Sequence, residues 1–145
     1  MIYLKTDEEV ELMRRSNDLL GRTLAEVAKV IRPGVTTAEL DKVAYEFICD
    51  NGGIPSCLGY EGYPATLCTS VNEQVVHGIP SDKVILKDGD IVSVDTVVKL
   101  GGFCADSAYT FPVGEVAPEV LQLMRTTKQA LYLGIEQAIT GRRLG

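Results

Sequence analysis

No apolar run in this chain approaches the ~20 residues that a membrane-spanning helix needs, and no basic cluster interrupts its acidic balance. With 14 Lys and Arg against 20 Asp and Glu, the net charge is −6. The cationic footprint on which DNA and other nucleic-acid binding rests is missing. The four cysteines, Cys49, Cys57, Cys68 and Cys104, show no CxxC spacing. They do not resemble a disulfide framework, which suits a reducing compartment. Met1-Ile2-Tyr3-Leu4-Lys5 runs straight into acidic residues and is not a secretory signal. A cytoplasmic protein with no membrane partner is therefore expected. Linkers, low-complexity stretches and short repeats are absent as well, and histidine occurs once, at His77.

What is present is a chain of 145 residues, 46% apolar and 23% charged. That is the size and balance of one globular domain, residues 1–145, with enough chain to bury a core. Thr6-Asp-Glu-Glu9 reads as a capping box that opens a helix. Val10, Met13, Leu20, Leu24, Val27 and Ile31 then recur at helical spacing until Pro33-Gly34. A second box at Thr36–Glu39 opens a helix burying Leu40, Val43, Ala44, Phe47 and Ile48, ended by Asn51-Gly52-Gly53. Strands are expected at Thr66–Val71 and Gln74–Val76, around the polar turn Asn72-Glu73. After Pro118 a helical pattern runs to about Thr140, with Gly141 as a candidate cap, and this helix is expected to help cover one face of the sheet.

The chemistry concentrates between Asp90 and Gly114. Two β-rich runs, Ile91–Lys99 and Phe103–Phe111, flank a glycine turn, which is a short-hairpin signal. A loop of Leu100 and Gly101 puts Asp95 directly opposite Asp106. A loop of Gly101 and Gly102 makes them diagonal neighbours, still on one face. Like charges so placed in apolar strands require a shared proton or a cation, unless that face is solvated. Lys87-Asp-Gly-Asp90 is a turn that launches the hairpin. Upstream, Ile54–Tyr63 is irregular, with Gly59, Gly62 and Pro64 as breakers. It reads either as a surface loop or as the wall of an apolar pocket carrying Cys57, Leu58, Tyr60 and Tyr63. His77, followed by Gly78-Ile79-Pro80, is a structural histidine or a donor to substrate or metal.

The ordered set Cys57-Leu58-Gly59-Tyr60, Val71-Asn72-Glu73, His77-Gly78-Ile79-Pro80, Asp88-Gly-Asp90, Val94-Asp95 and Gly102-Phe103-Cys104-Ala105-Asp106-Ser107-Ala108 resembles the type I methionine aminopeptidases. The resemblance covers essentially the whole chain. It implies an α+β pita-bread (creatinase/aminopeptidase-like) fold, of which this chain carries the N-terminal half and the helix that follows. It implies removal of N-terminal methionine from nascent proteins, with the ribosome as a candidate partner and one or two divalent metals (Co, Mn, Fe or Zn). Asp95 would ligate one metal and Asp106 would bridge both. His77 would touch the substrate, while Cys57, Tyr60, Tyr63 and Cys68 would line the methionine pocket. Val97 stands where a hydroxyl residue is common in the family, and Ser93 where Asn is common; such neighbours tune metal affinity.

In the family a later His and two Glu complete the metal site, and Gly145 comes before any of them. The resemblance therefore implies part of a catalytic domain, inactive alone and with no catalytic proton-transfer residue of its own. A non-catalytic half-fold that binds a peptide or partner, and an X-Pro peptidase, are the alternatives. The missing cover predicts self-association through an open sheet edge.

Overall fold

The structure, a computed structural model, describes residues 3–143. Helix α1 (Asp7–Val30) and helix α2 (Thr37–Asp50) both begin with complete capping boxes. The Thr6 hydroxyl accepts from the Glu9 amide at 3.2 Å while Glu9 accepts from the Thr6 amide at 2.9 Å. Thr36 and Glu39 repeat the exchange. Orphan amides at each N-terminus are thereby satisfied, and the helices start where the sequence marks them.

Strand β1 (Ile54–Pro55), strand β2 (Cys68–Val71), strand β3 (Ile91–Leu100) and strand β4 (Phe103–Pro112) form one antiparallel sheet. Strand β3 is central: β1 and β2 pair with successive parts of one edge, and β4 pairs with the whole of the other. The two-residue β1 lies inside a segment that sequence patterning leaves irregular. Gln74–Val76 forms no strand; the chain turns at Asn72, held in left-handed backbone (φ 52°). Asn72 bonds Asp90 and the Ile91 amide through its side chain, which ties the turn to the start of β3.

Alternation along β3 divides the sheet into two unlike faces. Val92, Val94, Thr96 and Val98 are fully buried against α1 and α2. Leu19, Leu20, Val27, Leu40, Ala44 and Ile48 supply the helix side of this core. Buried polar side chains accompany it, among them Ser16 and Thr23 of α1. The Ser16 hydroxyl lies 3.0 Å from the Leu100 carbonyl and 2.9 Å from that of Phe103, fastening the hairpin end to α1. The opposite face carries Ser93, Asp95 and Val97, only partly buried, and this face is left for function.

Helix α3 (Pro118–Gln137) departs from expectation. It forms, ending at Gln137 rather than near Thr140, but none of its residues is buried. Only Val120, Leu121 and Met124 are even partly buried, and Lys128 sits over the Tyr109 ring of β4, so the helix adds no residue to the core. Leu123, Leu131, Leu133 and Ile135 are more than half exposed, because the helical pattern fixes an apolar stripe without fixing what meets it.

Candidate metal centre and pocket

The register of the hairpin decides the geometry of the carboxylates. Gly101 (φ 60°) and Gly102 (φ 88°) both take left-handed backbone, the pairing required by the turn that matches strand twist. Leu100 cannot adopt that conformation without steric cost. The loop is thus Gly101-Gly102, and the alternative with Asp95 directly facing Asp106 is excluded. Asp95 lies opposite Ala108, and Asp106 opposite Val97. The two carboxylates are diagonal neighbours on one face, a separation that leaves room for a cation between them.

Around them lies a groove of about 540 Å³ lined by Cys57, Tyr60, Tyr63, Cys68, His77, Asp95 and Asp106. Each site residue expected from sequence reaches it. Cys68 is the direct partner of Asp95 across β2 and β3. Cys57 arrives from the β1 side, where its sulfur accepts from the Val97 amide at 3.3 Å. Glu61, Ile79 and Val97 also line the groove. Val97 departs from the family pattern in sequence, and nothing local marks it as a groove residue. Its exposure beside Asp106 follows from strand parity once the register is known. Ser93, on the same face, satisfies its hydroxyl with Thr110 at 2.8 Å.

Burial, and then the neighbouring Asp106 carboxylate, hold Asp95 above the usual carboxylate range, while His77 and the Thr96 backbone oppose this. A cation would relieve both causes. The donor set is hard oxygen, which suits divalent metals. No group of three His, Cys, Asp or Glu side chains suited to a metal ion occurs among the described residues, so the two aspartates fit as part of a site. Burial also raises the Cys57 and Cys68 thiols and the Tyr63 phenol. These groups are neutral near pH 7 and form a soft, polarizable wall suited to an unbranched apolar or thioether side chain.

His77 stands at the groove in left-handed backbone (φ 57°). The Gly78 carbonyl that follows accepts from the Thr69 amide at 2.7 Å, and the Gly78 amide donates to the Ser70 hydroxyl at 3.2 Å. A Cβ on Gly78 would lie 2.1 Å from the Thr69 carbonyl oxygen. Glycine is thus needed here for close approach of two backbones.

A helix-backed antiparallel sheet presents paired carboxylates beside a thiol- and phenol-lined groove. Comparison with known proteins identifies this as a pita-bread metallopeptidase scaffold. The family model for metallopeptidase family M24 matches residues 11–145. A methionine aminopeptidase of Clostridium acetobutylicum is 46% identical over 144 residues, which cover 99% of this chain and 58% of that protein. The crystal structure of methionine aminopeptidase from Rickettsia prowazekii superposes with a TM-score of 0.91 at 38% identity, over 93% of this chain and 54% of that one. An Xaa-Pro dipeptidase from Bacillus anthracis, at 21% identity and TM-score 0.77, shares the fold. The chain belongs to metallopeptidase family M24. It spans somewhat over half the length of these methionine aminopeptidases.

Proposed function

We propose that this chain provides the methionine-recognising wall and two carboxylate ligands of an aminopeptidase that removes N-terminal methionine. The observation that carries the reading is the convergence of Asp95 and Asp106 on one groove with Cys57, Tyr60, Tyr63, Cys68 and His77. Asp95 and Asp106 would hold divalent metal, with Asp106 shared where two ions bind. A metal there supplies Lewis-acid polarisation of the scissile carbonyl. The neutral thiols and phenols of the wall accept the first side chain by apolar contact. They offer it apolar and polarizable surface rather than a charged partner, Glu61 being the one carboxylate on the wall side of the groove. His77, which lines the groove, would hydrogen-bond the peptide next to the bond that is cut.

The relatives' names favour methionine over X-Pro peptides, and the soft wall supports the same choice. Because His77 is the single histidine, its ring resonances report on the groove without ambiguity. Titrating the chain with Met-Ala-Ser is expected to shift them saturably, and Ala-Pro-Ser to shift them much less. An equal response to both peptides would overturn the assignment of the wall to methionine.

A further inference from the structure

The phenol of Tyr63 has a use beyond lining the pocket. Its oxygen lies 2.9 Å from the Leu67 carbonyl and 3.2 Å from the Gly78 carbonyl. One hydroxyl therefore joins the pocket wall, the entry to β2 and the peptide unit that follows His77. We propose that Tyr63 is a positioning residue, whose hydroxyl fixes where His77 presents its imidazole in the groove. The inference rests on the reading of this groove as a substrate pocket.

His77 is exposed and makes no side-chain hydrogen bond among the described contacts, so its direction is set through its backbone. Left-handed backbone is uncommon for a residue with a Cβ and persists where the surroundings over-determine it. Here the determinants all act one residue on, at Gly78. The Thr69 amide and the Tyr63 hydroxyl hold its carbonyl, and the Ser70 hydroxyl holds its amide. Thr69 and Ser70 belong to β2 and are buried, so they form a fixed platform. Tyr63 is the one holder whose ring also touches the groove. A side chain that enters the pocket meets that ring, and any shift of the ring is passed to the Gly78 carbonyl and so to His77. Recognition of the first residue and placement of the imidazole are thus coupled through one hydroxyl. Tyr60, in the same wall, makes no such bond among the described contacts and is 69% exposed.

The test uses the intact chain and nuclear magnetic resonance of its lone histidine. Tyr63→Phe keeps the ring and removes the hydroxyl. Its His77 ring signals are expected to shift and broaden, and the Thr69 amide to exchange about fivefold faster, the ratio one ordinary hydrogen bond is worth. Tyr60→Phe, the control, is expected to leave both unchanged. Unmoved His77 signals in a folded Tyr63→Phe variant would overturn the proposal. If that variant does not fold, the wild-type Tyr63 hydroxyl proton decides. Slow exchange with water, with a nuclear Overhauser contact to the Gly78 region, supports the latch, and rapid exchange overturns it. Failure of the methionine reading is separately visible, as loss of the peptide response in a wild type whose His77 still depends on Tyr63.

Discussion

Thr96 offers a direct measure of how the sheet is fastened beneath the candidate site. It lies between Asp95 and Val97 but points into the helix-covered core, where it is fully buried among Val94 and Val98. Its hydroxyl donates to the Thr66 carbonyl at 2.9 Å, just before the segment that carries Cys68 into the groove. Thr96→Val keeps the shape, adds apolar surface and removes the donor. An orphaned buried carbonyl costs about 1–3 kcal/mol, and exchanging hydroxyl for methyl returns about 0.8 kcal/mol. A net loss of roughly 0.2–2.2 kcal/mol is expected, a fall in Tm of up to several degrees for a domain of this size. Thr96→Ser keeps the donor and loses one methyl, costing about 0.5–1.5 kcal/mol by analogy with Ile→Val. The stabilities therefore overlap, and the location of the damage separates the two variants. Amide exchange should accelerate across Thr66–Val71 in Thr96→Val and not in Thr96→Ser. Urea unfolding with residue-resolved exchange reads both quantities. A Thr96→Val protein at least as stable as the parent would refute the reasoning, because the hydroxyl would then be a tolerated passenger in an apolar site.

Gly78→Ala should lose about 2 kcal/mol in urea unfolding, since the added Cβ forces apart a backbone contact that holds two hydrogen bonds; a loss below about 0.5 kcal/mol would show that the loop moves freely. The raised pKa of Asp95 gives a pH effect of definite sign. A carboxyl raised in the native state binds more protons folded than unfolded between its two pKa values, so its contribution to stability falls as pH rises through that window. Metal-free Asp95→Asn should accordingly lose less stability than the parent from pH 4 to 7, and parallel stability curves would count against it. Calorimetric titration should find only weak Mn²⁺ binding to this chain, weaker still in Asp106→Asn, since two carboxylates leave most of a coordination shell to water; sub-micromolar affinity would be the contrary result. The exposed Leu and Ile side chains of α3 should draw the chain into a dimer or larger assembly at tens of micromolar. Sedimentation as a stable 15.7 kDa species would rule that out.

Much of this was legible in the residue order because the forces involved are local. Both capping boxes needed only Thr and Glu three apart, and strand parity alone put Asp95 and Asp106 on one side of the hairpin. The motif order around His77 carried the family resemblance, which the M24 match bears out. Other features waited for the tertiary structure. The hairpin register turned on which two residues tolerate left-handed backbone together, a choice that the spacing left open until the chain closed on Gly101 and Gly102. Strand β1 is two residues long and exists because β3 offers it an edge; no run so short has a pattern of its own. The stripe on α3 is written in its sequence, yet whether it is covered depends on what packs there. Likewise Tyr63 was visible as a pocket residue, but its hold on Gly78 spans fifteen positions. A hydroxyl's partner across that separation is set by how β2 and the two loops meet in space, which no local rule of spacing encodes.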